Sequence, residues 1–293
     1  MHFPGKGISI FPFFLIIKLK IPCILLFNFQ NSEMQGFTEF LHSYKERDYR
    51  VFKKGQGPGV LIMHELPGMV QECVDFASRL SEAGFTVYLP LLFGEPNIEN
   101  NTGTTIQYFG KLCISKEFTL FQGNKTSPVI EFLKSLCRRI HKECGYNGLG
   151  AIGMCLTGGF VIPLLLEPAL LAPVLSQPSL PINPFESASL ACSDEDYEFA
   201  CKRILKEKIP VLGFKFSHDA LSSNEKFKRL KNDLGDLFID NTIYSGPKNM
   251  QGLQVTDHAV FTIHFRNEEG HPTREAFDLL IEYYRKRLYK DKA

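Results

Sequence analysis

Leu149–Gly159 reads L-G-A-I-G-M-C-L-T-G-G and is the segment of this chain best suited to chemistry. A short apolar run breaks at Gly153-Met154-Cys155-Leu156, passes through Thr157, Gly158 and Gly159, and continues into an apolar stretch of helical length. That layout predicts a nucleophile elbow: a strand ends, one residue is held in a strained turn, and small neighbours let the backbone bend. Cys155 stands at the apex. Its thiol would project at the C-terminal edge of a sheet, over the N-terminus of the next helix. There, N–H groups and the helix dipole stabilise a thiolate and later the oxyanion it creates. A cysteine in an apolar segment is more often plain core, so the rest of the chain has to supply an acid and a base.

Two later segments do so. Pro210–Phe216 reads as a strand, and Ser217-His218-Asp219 follows it. Leu237–Tyr244 is a second strand-like run, and His258 lies in a loop-like stretch beyond it. Nucleophile, acid and histidine come in that order, each past a strand, which is the chain order of an α/β-hydrolase triad. Three aspartates compete for the acid. Asp257 adjoins His258, and neighbouring side chains diverge; Asp240 lies inside a strand-like run. Asp219 can approach from another strand end and meet Nδ1, leaving Nε2 for the thiol, and is the expected partner.

Upstream, the strand-like Gly59–Met63 is followed by His64-Glu65-Leu66-Pro67-Gly68. The loop after an early strand is where this fold places one oxyanion-hole N–H, here assigned to Leu66, with the other from Leu156. Glu65 beside the pocket could accept the thiol proton; the plainer alternative makes His64 and Glu65 ordinary loop polars. Gly68 stands where a second histidine would complete H-E-x-x-H, so a zinc-protease helix is excluded.

G-M-C-L-T-G-G at Gly153–Gly159, M-H-E-L-P-G at Met63–Gly68, S-H-D at Ser217–Asp219 and D-H at Asp257–His258 resemble the dienelactone hydrolase family. The resemblance runs from about Tyr49 to Leu288 and includes A-G-F-T-V-Y-L-P-L-L-F-G at Ala83–Gly94. It implies Cys155 as nucleophile, His258 as general base and acid, Asp219 as its orienting partner, and Glu65 as the carboxylate that interacts with the thiol. Two departures stand out. Thr157 is inserted before the glycines. The family's type enzyme binds a substrate carboxylate with arginines, one of them four residues after the histidine. Thr262 occupies that position here, and no arginine lies between Arg79 and Arg138 to play the other part.

Strand and helix patterns alternate continuously, which predicts one α/β domain of roughly 240 of the 293 residues, with a mostly parallel sheet and helices on both faces. Hydrophobic content of 44% is ample for a packed core. A formal net charge of +1, with no basic block, points away from nucleic acid. The eight cysteines include no C-x-x-C, so neither a zinc ribbon nor a thioredoxin-like pair is indicated. Helices are expected over Val70–Glu82, Ser127–His141, Ser193 (as N-cap) to about Lys208, and about Thr273–Leu288; Asn97–Phe109 reads as a polar, irregular excursion. Gly148, Gly150 and Gly153 spell G-x-G-x-x-G, but they straddle a strand instead of following one, so a nicotinamide site is rejected.

The apolar stretch Ile8–Phe29 carries Lys18, Lys20, Pro12 and Pro22, unsuited to a spanning helix. It is either a weak membrane anchor or sequence upstream of the native start, with Met34 the initiator; the second is preferred. The expectation is an N-terminal extension over 1–48 and a hydrolase domain over 49–288, cytoplasmic, or membrane-associated through residues 8–29. The domain would act on a small ester or lactone with no metal or cofactor. A catalytically silent hydrolase-like binding or regulatory protein is the alternative.

Overall fold

Five short apolar runs build the centre of the molecule, and each is buried on both faces, as parallel strands covered by helices must be. They are β3 (Gly59–Met63), β4 (Thr86–Pro90), β5 (Leu149–Met154), β6 (Leu170–Ser176) and β7 (Val211–Phe216). Before them come β1 (Thr38–Tyr44) and β2 (Arg47–Lys54), and after them β8 (Phe238–Ile243). In this computed structural model, which describes residues 34–113, 118, 124–182 and 184–289, the strands form one sheet in the order β1-β2-β4-β3-β5-β6-β7-β8. The pairs β1–β2 and β2–β4 are antiparallel and all others parallel. The expected α/β architecture is therefore the one observed. The stretch Ile8–Phe29 lies outside the described residues.

Period-two alternation sorts the strand residues between two cores. Val60 and Ile62 face one side with α1 (Gln71–Glu82) and α7 (Pro272–Leu288). Leu61 and Met63 face the other with α3 (Val129–Cys144), α4 (Val161–Leu164), α5 (Asp194–Glu207) and α6 (Asn224–Leu234). Ser193 caps α5 by accepting from the Asp196 N–H at 3.2 Å, as its sequence position suggests. Helix α3 runs on to Cys144 and ends at Gly145, whose φ of +67° is the left-handed cap that glycine favours.

Two expectations need correction. Asn97–Phe109 is not wholly irregular: α2 occupies Thr102–Cys113. The Asn101 side chain accepts from the Thr104 N–H at 2.9 Å, an N-cap that starts a helix in spite of the polar, threonine-rich first turn. The helix after the elbow is also shorter than its apolar run. A tight turn over Cys155–Phe160 leads into α4, which ends at Leu164. Pro163 and Pro168 explain this, since each removes a backbone donor that a longer helix would need. Among the described residues, no helix is long and apolar enough to cross a membrane.

Candidate active site

The carboxyl ends of β3, β5, β6 and β7 lie side by side, and the residues just beyond them carry the polar chemistry. Past β5, Cys155 has φ of +52°, the strained left-handed conformation of an elbow apex. The bend depends on close backbone approach. A Cβ on Gly153 would sit 2.2 Å from the Thr157 carbonyl oxygen, and one on Gly159 would sit 2.4 Å from that of Leu190. Thr157 completes the turn: its hydroxyl accepts from the Met154 N–H at 3.0 Å and lies 2.8 Å from the Met63 carbonyl, which it reaches as a donor. The inserted threonine thus ties the elbow to the end of β3.

Past β7, Asp219 turns back and lies 2.7 Å, Oδ2 to Nδ1, from His258, which arrives from the long loop between β8 and α7. The other aspartate takes a different task. Asp257 sits 3.5 Å from His264 Nε2, while His264 Nδ1 accepts the backbone N–H groups of His258 and Ala259 at 3.2 and 3.0 Å. It props the loop beneath His258 instead of orienting the ring. Asp240 lies within β8 and bonds Thr242.

Past β3, Glu65 is buried, and its carboxylate is cradled by neutral donors only. Gln177 Nε2 donates at 3.0 Å, and the Thr262 hydroxyl donates to the other oxygen. Burial pushes the Glu65 carboxyl above its ordinary value, and His258, Thr262 and Gln177 pull part of that back. His64 is buried too and held near pKa 4 by burial; its Nε2 accepts the Leu92 N–H at 3.1 Å, locking the loop. Neither residue is a loose loop polar.

One atom each of Glu65, Cys155 and His258 lies within 4.8 Å of the others. Burial alone would lower the His258 pKa, but the Cys155 sulfur and the Asp219 carboxylate outweigh it and hold the imidazole well above its ordinary value. Its Nε2 is buried without a hydrogen-bond partner among the described residues. Ser179 completes the surroundings of the thiol, its hydroxyl 3.5 Å from Sγ.

A cavity of about 720 Å³ opens over the thiol, with Cys155, Leu66 and Leu156 in its wall beside Ser179, Asp219 and Lys226. Leu156 is the second residue of a helical turn, so its N–H is among the donors that no helical carbonyl can satisfy. The sequence reading missed Gln177, Ser179 and Lys226. Gln177 follows β6 as Cys155 follows β5, so position after a strand was its one available signal. Lys226 projects from α6 into the cavity wall while its ammonium donates to the Ser187 carbonyl at 3.2 Å. Burial, with Lys215 adding to it, brings that ammonium down to about 8.

Comparison with known proteins agrees with this architecture. A model of the dienelactone hydrolase family matches residues 47–189. Among solved structures, a provisional dienelactone hydrolase from Klebsiella pneumoniae subsp. pneumoniae superposes with TM-score 0.55 at 15% identity, over 85% of this chain and 97% of that one. A cold-adapted esterase from an Arctic intertidal metagenomic library gives 0.53 at 14% identity, over 87% and 96%. A dienelactone hydrolase from Anabaena variabilis gives 0.51 at 12%, over 87% and 100%. At such identities the likeness is one of fold. No curated protein matches the chain.

Proposed function

We propose that this chain, whose residues 47–189 match the dienelactone hydrolase family, hydrolyses a small carboxylic ester or lactone through Cys155, His258 and Asp219 by way of a thioacyl-enzyme. The observation that carries this reading is the Asp219–His258 contact of 2.7 Å, with the second imidazole nitrogen left free beside the thiol. His258 takes the proton of Cys155, and the thiolate adds to the carbonyl carbon. The oxyanion faces the N–H groups of Leu66 and Leu156 as the tetrahedral intermediate forms. Collapse breaks the carbon–oxygen bond, and the imidazolium returns its proton to the leaving alcohol. For a lactone that alcohol stays on the acyl chain. His258 then deprotonates water, which attacks the thioester and frees the acid and the thiol. Glu65 faces the thiol as a second proton acceptor, its basicity raised by burial.

The domain proposed for this activity is residues 49–288, and a reducing cytoplasm suits its free thiol. Lys226 extends the reading to substrate choice. It is the buried cation in the cavity wall, so an ester bearing a carboxylate would pair with it in place of the arginines that this chain lacks. The test is a screen of short acyl nitrophenyl esters and small lactones, some carrying a carboxylate. Cys155→Ala should abolish turnover and Cys155→Ser should leave a much weaker enzyme, because serine needs stronger base assistance. Hydrolysis unchanged in Cys155→Ala would refute the proposal.

A further inference from the structure

Glu65, Cys155 and His258 are the one group of three potential metal ligands found among the described residues, and their donor atoms surround a common space. We propose that this trio binds a single soft divalent cation, Zn²⁺ foremost, and that its occupancy blocks the nucleophile. The block rests on the hydrolytic reading above; the binding does not.

The donor set is one thiolate, one imidazole and one carboxylate, the mixture that zinc accepts at three protein positions with a fourth left open. Bond lengths of about 2.0–2.3 Å place neighbouring ligands of a tetrahedral zinc roughly 3.3–3.8 Å apart. The 4.8 Å limit that encloses the three atoms means the site closes by about 1.5 Å at most. The cavity above Cys155 leaves the fourth position for water. Each ligand is already oriented from behind, as metal-binding side chains commonly are. Asp219 holds His258 Nδ1, which aims Nε2 into the space. Gln177 and Thr262 hold the two oxygens of Glu65, and Ser179 flanks the sulfur.

Charge favours the same occupant. Glu65 is buried with neutral donors alone, and among the described residues no arginine or lysine forms an ion pair with it. A thiolate and a carboxylate facing one another match a dication, with the imidazole neutral. Coordination releases to solvent the proton shared by the thiol and the imidazole, so the charges of the dication, the thiolate and the Glu65 carboxylate cancel. A hard cation such as Mg²⁺ needs near-octahedral oxygen ligands, which this set does not offer.

The test uses the full-length reduced protein, stripped with a chelator and titrated with Zn²⁺ alone, then with Co²⁺ as a spectroscopic probe. The expected result is one ion per chain, with a sulfur-to-cobalt charge-transfer band that disappears in Cys155→Ala and in Cys155→Ser. Asp219→Asn should weaken binding about 10–100-fold. Zn²⁺, but not Mg²⁺, should slow iodoacetamide alkylation of Cys155. Circular dichroism of both Cys155 variants shows whether they fold; serine keeps the shape of the side chain and loses the soft donor. No bound ion in the wild type, or a stoichiometry unchanged in the folded Cys155 variants, would overturn the site. In the assay, Zn²⁺ should inhibit ester hydrolysis and chelator should restore it. Zinc held by Cys155 in a protein that cleaves no ester even when stripped would overturn the hydrolytic reading and leave the site standing.

Discussion

Cys155 and Glu65 face the same small space, and the chain holds them by opposite means. Cys155 is fixed by backbone: a positive φ, glycines packed against carbonyls, and the Thr157 hydroxyl one turn away. Glu65 is fixed by side chains that arrive from far along the chain, Gln177 after β6 and Thr262 in the loop before α7. The first arrangement is a sterically rigid backbone turn, short in sequence and tied to Met63 and Leu190. The second exists only when distant segments are assembled, and each of its donors can be removed singly.

That contrast can be broken at several points, and the largest effect is expected where long-range side-chain contact orients His258, the proposed base. Asp219→Asn should lower kcat at least about 10²-fold, with about 10⁴ within reach for a triad aspartate. A loss under about threefold in steady-state assays would remove Asp219 from the triad. Gly153→Ala attacks the backbone side. Its methyl group would meet the Thr157 carbonyl at 2.2 Å, so the elbow must shift. A stability loss of about 1–3 kcal/mol by denaturant titration is expected, together with lost alkylation of Cys155. An unaltered midpoint would mean that the turn has slack.

Thr262→Val removes one donor from Glu65 and keeps the shape of the side chain. A drop of about tenfold in kcat/KM is expected, corresponding to about 1.4 kcal/mol and in keeping with a hydrogen bond to a charged group. Thr262→Ser should recover most of it, while a merely packing role would follow the methyl group instead. Lys226 gives a smaller, pH-dependent effect. Its ammonium is charged below about 8 and neutral above, so preference for carboxylate-bearing esters over neutral ones should hold below that pH and fade above it. Preference that persists to pH 10, or that survives Lys226→Met, would show that another group recognises the anion. The smallest effect is Asp257→Asn, expected within about twofold in kcat because Asp257 reaches His264 and not the His258 ring. The reverse pattern, with Asp257 essential and Asp219 dispensable, would exchange their roles.

Much of this is legible in the sequence. The elbow sequence Gly153–Gly159 announces its geometry because steric relief must be supplied by the very residues that bend. The order Cys155, Asp219, His258 follows from β5, β7 and β8, which run the same way and release their loops at one edge. The family model's match ends at residue 189, so Asp219 and His258 rest on this ordering, on the S-H-D and D-H motifs and on contact. Helix α2 escaped notice because a single asparagine cap outweighed a polar composition, and β1 because half-exposed edge strands carry a weak apolar pattern.

The amino-acid sequence by itself therefore determined the class of sheet, mostly parallel with helices on both faces, the cysteine at the elbow and the candidates for acid and base. These depend on periodicity, glycine placement and chain order, all of them local or nearly so. Only the tertiary structure decided that Asp257 supports His264, that Gln177 and Thr262 cradle a buried carboxylate, and that Lys226 enters the cavity wall. Those contacts join segments far apart in the chain. Their partners are chosen by strand order and helix packing, which no short stretch of residues encodes.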